Sequence, residues 1–201
     1  RYGIRQPYLL YIGTVQPRKN LLRLIEAFAT VTADRRPQTA ASQTASAVGG
    51  LPSAVQLVIA GKRGWLSEPI ERRADELGVA DRVRFAGYVD DADVPALLSG
   101  ALAFVFPSLY EGFGMPVLEA MACGAPVLAA NSSSLPEVAG DAALLVDPAD
   151  TPAIARALRD VAASPALRDE LRQKGIARAA QFTWERCARE TLRVLLEAAG
   201  V

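Results

Sequence analysis

The chain has 201 residues, 51% of them apolar, with 22 basic and 22 acidic side chains. This length and apolar content suffice for one domain with a sizeable core. The balanced charge creates no overall field that would attract nucleic acid or an acidic membrane, so we expect a small-molecule function and no nucleic-acid partner. No apolar run reaches the roughly 20 residues of a membrane-spanning helix, so no transmembrane segment is expected.

The chain contains no histidine and only two cysteines, Cys123 and Cys187. Without histidine, the commonest general base and transition-metal ligand are absent, and no Ser–His–Asp triad can form within the chain. The cysteines lack a paired spacing and fall in helical segments, so we interpret them as small apolar core residues of a protein in the reducing cytoplasm. The chain opens at Arg1 without a methionine or a signal-peptide pattern, so we expect a preceding segment.

Short β-rich runs alternate with segments of helical period. The predicted strands cover residues 8–12, 56–60, 83–86, 103–106, 127–129 and 143–146. The predicted helices cover residues 21–31, 68–77, 94–98, 115–123, 153–162, 167–181 and 184–199. Repeated βα units favour an α/β fold, with a parallel sheet of about six strands and helices on both faces. Residues 37–53 are rich in Ala, Ser, Thr, Gln and Gly, and we predict a flexible insertion loop within one domain, residues 1–201.

Two predicted loops combine glycine with cations. In an open parallel sheet, ligands bind beyond the carboxyl ends of the strands, where helix N-termini present free N–H groups. The loop that starts at Gly13 holds Arg18 and Lys19 just before a helix, where a bound anion would compensate the two cations. The loop that starts at Gly61 continues with Lys62 and a second cation. Both patterns fit phosphate binding, and both also fit solvated surface turns.

The loop after the fourth predicted strand is the strongest candidate site. Gly112 and Gly114 precede a helix that is predicted to begin near Met115, so backbone N–H groups can face a phosphate or sugar oxygen. Glu111 either contacts a ligand or closes an S/T-x-x-E capping box, and two glycines in the first turn of such a helix favour the ligand. Glu119 has mostly apolar helical neighbours, so its carboxylate needs donors, either ribose hydroxyls or an arginine of the chain.

Three further patterns have simpler interpretations. Asp91 and Asp93 form a D-x-D triplet, but a helix N-cap at Asp93 explains it, so no metal site is predicted. Ser134 and Glu137 match a second capping box, and Thr183 is the predicted N-cap of the last helix. The chain has no P-loop, no complete dinucleotide fingerprint and no G-x-S-x-G elbow.

Four sequence blocks, which together extend over nearly the whole chain, carry a family resemblance. They are residues 11–20, 57–61, 106–124 and 134–140. They resemble the family-4 (group 1) retaining glycosyltransferases of the GT-B architecture, and Glu111 and Glu119 match the two ends of that family's E-x7-E signature. The resemblance implies that the chain is the Rossmann-like, C-terminal half of such an enzyme, which binds a nucleotide-diphosphate sugar without a metal or other cofactor.

The same resemblance implies a set of donor-binding residues. They are Gly13, Arg18, Lys19, Gly61, Tyr88, Val89, Glu111, Gly112, Phe113, Gly114, Met115 and Glu119. Glu111 would contact the sugar and Lys19 the pyrophosphate, which makes these two the catalytic candidates. Glu119 would bind the ribose hydroxyls, and the backbone at Tyr88 would edge the nucleobase. Thr14 departs from the pattern, because many relatives carry a basic residue there.

The blocks look most like members that transfer mannose from GDP-mannose during polysaccharide or O-antigen assembly. The glycan or lipid-linked acceptor would bind an N-terminal domain outside this chain, which leaves room for peripheral membrane contact through that domain. We therefore predict that the isolated chain binds nucleotide but transfers sugar slowly or not at all. Two alternatives stay open, a nucleotide-sugar 2-epimerase of the same architecture and a non-catalytic nucleotide-binding module.

Overall fold

The computed structural model describes residues 1–33, 51–52 and 54–200. The strands are β1 (Tyr8–Ile12), β2 (Gln56–Ala60), β3 (Val83–Gly87), β4 (Ala103–Phe106), β5 (Val127–Ala130) and β6 (Ala143–Val146). The helices are α1 (Leu21–Ala33), α2 (Glu68–Glu76), α3 (Val94–Gly100), α4 (Met115–Ala122), α5 (Leu135–Ala139), α6 (Thr151–Ala163), α7 (Pro165–Ala179) and α8 (Trp184–Ala199). The strands therefore lie where the alternation of β-rich and helical segments predicts them.

The six strands form one parallel sheet in the order β3-β2-β1-β4-β5-β6. Strands β4 and β5 are buried at every position, as expected for strands covered by helices on both faces. The predicted α/β sheet is thus confirmed. The strand order reverses between β1 and β4, and in open parallel sheets this switch point is where ligands bind. The loops that follow β1 and β4 consequently lie side by side.

The C-terminal helices differ in how they pack. Helix α7 lies on α4, where Gly175 allows the close approach of Met121. Helix α8 begins at its predicted cap, because the Thr183 Oγ1 accepts a hydrogen bond from the N–H of Arg186 at 3.1 Å. Its apolar side chains nevertheless remain exposed. The prediction that Cys187 is a core residue is therefore wrong, since this cysteine lies on the exposed helix.

Within the described part of the chain, no helix combines the length and the apolar character that crossing a bilayer requires. Most of the predicted insertion, residues 37–53, lies outside the described residues. At its C-terminal end, Leu51 is buried in the core and its N–H donates to the carbonyl of Val31 at 2.8 Å. The predicted insertion therefore extends too far at this end.

Gly61 provides a test of how closely the loops after β1 and β2 approach each other. Its φ is 136°, and a Cβ at this position would lie 2.0 Å from the carbonyl oxygen of Gly13. We expect Gly61→Ala to lower the free energy of unfolding by at least about 3 kcal/mol, because backbone atoms must move. The matched variant Gly78→Ala should lose only about 1 kcal/mol, since Gly78 also has a positive φ, 67°, but no heavy atom lies within 4 Å of its added Cβ. Urea unfolding of both variants measures the difference, and equal losses would contradict the close approach.

Candidate functional site

Backbone hydrogen bonds join the loops that follow β1, β2 and β3. The N–H of Gly13 donates to the carbonyl of Ala60 at 2.9 Å, and the N–H of Gly61 donates to that of Gly87 at 2.7 Å. The N–H of Val15 continues the pattern with a 2.9 Å bond to the carbonyl of Lys62. The predicted site residues Gly13 and Gly61 thus lie together at the carboxyl edge of the sheet.

A cluster of three charged side chains links the loop after β1 to the loop after β4. The Lys19 Nζ lies 2.6 Å from Oε1 of Glu111, and the Arg18 Nη1 lies 3.0 Å from its Oε2. The side chains of Lys19 and Glu111 are only 10% and 11% exposed. The Lys19 Nζ also lies 5.0 Å from the centre of the Phe106 ring. The capping-box alternative for Glu111 is therefore wrong, because its carboxylate is bound by the two cations and α4 begins only at Met115.

Glu111 is held in its ionised form by this cluster. Burial alone would raise the pKa of its carboxyl group. The interactions with Lys19, Ser108 and Arg18 outweigh burial and hold the pKa of Glu111 below its ordinary value. The carboxylate is consequently ionised at neutral pH and is not available as a proton donor.

Asn20, which is not among the predicted site residues, holds the loop that contains Lys19. Asn20 ends a short 3-10 turn, Pro17–Lys19, in the left-handed conformation with φ 60°. Its buried Nδ2 donates to the carbonyls of Pro107, at 3.1 Å, and Pro148, at 2.7 Å. Asparagine tolerates the left-handed conformation better than most residues, which is the one local signal of this role. The loops after β1, β4 and β6 are joined through this side chain.

The backbone before α4 presents unpaired N–H groups. Gly114 has a φ of 102°, and a Cβ there would lie 2.6 Å from Cδ2 of Leu135, so glycine is required on both counts. The helix then begins at Met115 and is eight residues long. None of the N–H groups of residues 112–115 donates a hydrogen bond to another described residue. Gly112 and Phe113 are exposed, so this positive end of the helix is open to an anion.

The loop after β5 holds this backbone in place from the protein side. The Ser134 Oγ lies 3.0 Å from the carbonyl oxygen of Glu111 and 2.9 Å from that of Phe113. The N–H of Glu111 donates to the Ser133 Oγ at 2.9 Å. The predicted capping box of Ser134 and Glu137 is therefore wrong, because the Ser134 hydroxyl bonds to the neighbouring loop and makes no capping bond to α5.

Glu119 lies on the exposed face of α4. It borders a groove of about 650 Å³ between α4 and the segment that joins α7 to α8. The groove is also lined by the predicted site residues Gly112, Phe113 and Met115. The expectation that apolar neighbours leave the Glu119 carboxylate in need of protein or ligand donors is wrong, because Glu119 is exposed and its buried neighbours occupy the other faces of the helix. Among the described residues, the carboxylate of Glu119 has no hydrogen-bond or ion-pair partner, so the arginine alternative is wrong as well.

The predicted base-binding residues form a separate corner at the ends of β2 and β3. Tyr88 is 54% exposed, and the Lys62 Nζ lies 5.0 Å from the centre of its ring. Val89 is buried, so only its backbone can border a ligand. Among the described residues, no hydrogen bond or ion pair joins this corner to Lys19 or Glu111.

Asp93 occupies the predicted N-cap position of α3, but its side chain makes no capping hydrogen bond. Its Oδ2 instead accepts a hydrogen bond from the Tyr2 hydroxyl at 2.6 Å and lies 2.8 Å from Nη1 of Arg1. Arg1 also pairs with Asp90. Among the described residues, no three or more acidic, cysteine or histidine side chains are arranged to hold a metal ion.

The Lys19–Glu111 pair should make stability depend on acid pH. We expect Lys19→Met to lower the free energy of unfolding by about 2 kcal/mol at pH 7, because a nearly buried carboxylate loses its nearest cation while Arg18 remains. Since folding lowers the pKa of Glu111, its stabilisation is fully present above the ordinary value of 4.5. The stabilisation is lost as pH falls through the lower pKa of the folded state, so the difference between the two proteins should shrink there.

Urea unfolding from pH 7 to pH 3 measures this difference. Lys174→Met is the matched control, because Lys174 pairs with the exposed carboxylates of Asp141 and Glu170. This substitution should change the free energy of unfolding little at any pH, because water screens these exposed pairs. A difference for Lys19→Met that stays constant down to the lowest pH would contradict the assignment to Glu111.

The sequence of this chain matches a described family over most of its length. Residues 3–178 match the family model of the glycosyl transferases group 1. An O-antigen chain mannosyltransferase B from Escherichia coli is 38% identical over 187 residues, which are 93% of this chain and 45% of that protein. The chain thus spans less than half the length of this relative.

Solved structures share the fold. A sucrose-phosphate synthase from Thermosynechococcus elongatus superposes with a TM-score of 0.78 at 29% identity, over 96% of this chain and 46% of that one. The C-terminal domain of a glycosyl transferase group 1 family protein from Francisella tularensis has the same fold, with a TM-score of 0.71 at 22% identity, over 88% of this chain and 85% of that one. The predicted half of a GT-B fold is confirmed, and the chain belongs to the group 1 glycosyl transferases.

Proposed function

We propose that this chain is a single donor-binding domain of a retaining glycosyltransferase and that the free N–H groups of residues 112–115 receive the diphosphate of a nucleotide sugar. The observation that carries the proposal is that these four N–H groups, at the start of α4, donate to no other described residue. The N-terminus of a helix attracts anions through its free N–H groups and its dipole. A diphosphate supplies the oxygens that these donors lack.

The charged cluster beside this backbone supports an anionic ligand. Lys19 and Arg18 share one carboxylate, that of Glu111, so two cations and one anion leave one net positive charge. Arg18 is the more exposed of the two cations and can therefore reach a phosphate. Lys19 is held in place by Glu111 and Phe106, so its charge is in position before a ligand arrives. Such preorganisation favours the state in which negative charge develops on the leaving diphosphate.

Glu111 then acts by position and charge. Retaining transfer passes through an oxocarbenium-like state, and a nearby ionised carboxylate stabilises the positive charge that develops on the sugar. Lys19 and the N–H groups before α4 stabilise the departing diphosphate. In a front-face reaction the leaving phosphate takes the proton of the acceptor, so no nucleophile is required from this chain.

Glu119 and its groove suit the nucleoside. The groove volume of about 650 Å³ lies within the range of small-molecule sites, which is about 300–1,000 Å³. The exposed carboxylate of Glu119 can accept hydrogen bonds from two adjacent ribose hydroxyls. The backbone at Tyr88 and Val89 would border the nucleobase from the other corner of the sheet edge.

The relatives support a mannosyl donor and a second domain. The Escherichia coli relative is named for the transfer of mannose to the O-antigen chain, so GDP-mannose and a glycan or lipid-linked acceptor are the proposed substrates. This chain covers only 45% of that relative. Helix α8 leaves Trp184 78% exposed, together with Leu192 and Leu195, and a second domain would cover this surface. Relatives named as transferases favour transfer over epimerisation or passive binding.

Calorimetric titration of GDP, UDP and ADP tests the site and the base together. We expect GDP to bind most tightly. Glu119→Gln should weaken GDP binding about tenfold, because a neutral amide accepts the ribose hydroxyls less well than a carboxylate. Glu76→Gln is the control, since Glu76 is an exposed helical carboxylate of α2 outside the proposed site. Equal affinity for GDP in the Glu119→Gln variant and the unaltered chain would count against ribose recognition by α4.

The isolated chain should bind the donor without appreciable turnover. With GDP-mannose and a membrane glycan extract, we expect the isolated chain to release GDP at less than about 0.01 per second. Enzymes with a complete active site typically turn over at about 1 to 1,000 per second, and this chain lacks the domain that would position the acceptor. Release of GDP and labelled mannose is followed by chromatography. Acceptor-dependent transfer at an ordinary enzymatic rate would contradict the need for a second domain, and free epimerised sugar formed without an acceptor would indicate a 2-epimerase.

A further inference from the structure

Two serines of the loop between β5 and α5 bond to the backbone that presents the free N–H groups. The Ser134 Oγ lies within 3.0 Å of two carbonyl oxygens, those of Glu111 and Phe113. The neighbouring Ser133 Oγ accepts the N–H of Glu111 at 2.9 Å. The loop before α4 is thus bonded to two consecutive hydroxyl groups.

The two carbonyls that Ser134 binds belong to the peptides that carry two of the free N–H groups. The carbonyl of Glu111 shares a peptide plane with the N–H of Gly112, and the carbonyl of Phe113 shares one with the N–H of Gly114. In a planar trans peptide, C=O and N–H point in opposite directions. Because both carbonyls point towards the Ser134 hydroxyl, both N–H groups point away from it.

Ser134 does not cap α5 with its side chain. It precedes α5 with helical dihedral angles, and its hydroxyl makes no capping bond. Its neighbour Leu135 occupies the space beside Gly114, where a Cβ would lie 2.6 Å from Cδ2 of this leucine. The start of α5 therefore fixes both the orientation of the two peptides and the left-handed turn between them and α4.

We propose that Ser134 is a positioning residue for the donor diphosphate. Its hydroxyl orients the peptides that follow Glu111 and Phe113, so that the N–H groups of Gly112 and Gly114 converge on the phosphate oxygens. Ser133 removes the N–H of Glu111 from that group by accepting its hydrogen bond. This role rests on the proposed function and adds a residue outside the acidic and glycine-rich segment of the site.

The test compares two ligands in three proteins. GDP is titrated into the unaltered chain, Ser134→Ala and Ser99→Ala, and guanosine is measured by competition in each. Ser99→Ala is the matched control, since its hydroxyl also donates to a backbone carbonyl, that of Cys123, at 3.0 Å but away from the loop. We expect Ser134→Ala to weaken GDP binding about tenfold, because the two peptides lose their orientation, and to change guanosine binding less than about twofold.

Two results for the variant would overturn the proposal. GDP affinity equal to that of the unaltered chain would mean that the hydroxyl does not position the N–H groups. Equal weakening of GDP and guanosine would mean general damage to the site rather than a role at the diphosphate. Failure of the unaltered chain to bind any nucleoside diphosphate would overturn the proposed function as well. This outcome differs from failure of the Ser134 proposal alone, because it is seen without any substitution.

Discussion

The ion pair of Lys19 and Glu111 holds together the two loops at the switch point of the sheet. The residues are 92 positions apart in sequence, and both side chains are nearly buried. Taking either charge out of water alone would be costly, so each favours a structure in which the other is present. The loops after β1 and β4 are therefore coupled electrostatically as well as through Asn20. The geometry of the remaining site residues depends on this coupling.

The coupling also leaves the site poised for an anion before one binds. Glu111 satisfies Lys19 and part of Arg18, which leaves one positive charge next to the N–H groups before α4. Carbonyl oxygens would cancel this potential if they faced the same side. The single O–H of the Ser134 side chain is shared between two of them. Charge and backbone dipoles consequently point the same way, and binding requires little reorganisation.

The role of the E-x7-E residues in donor binding stays a prediction. The sequence predicted the strands because they follow from a local pattern. It failed where a side chain has a distant partner. Ser134 and Asp93 match local capping patterns, but their side chains bond to residues more than 20 positions away. Such a side chain can bond either to the backbone at the helix end or to a distant residue, and the spacing of residues in the sequence does not show which bond forms. Thr183 has no such competing partner among the described residues, and its predicted cap is confirmed.

The ionised state of the Glu111 carboxylate limits which chemistry the chain can perform. Because Lys19, Ser108 and Arg18 hold its pKa below the ordinary value, Glu111 stays ionised at neutral pH and cannot act as a general acid. The sequence offers no histidine as an alternative. Under the proposed function, the acceptor's proton therefore passes to the leaving phosphate or to a group outside this chain. Under the same proposal, this chain contributes an oriented set of charges and dipoles around the bond that breaks.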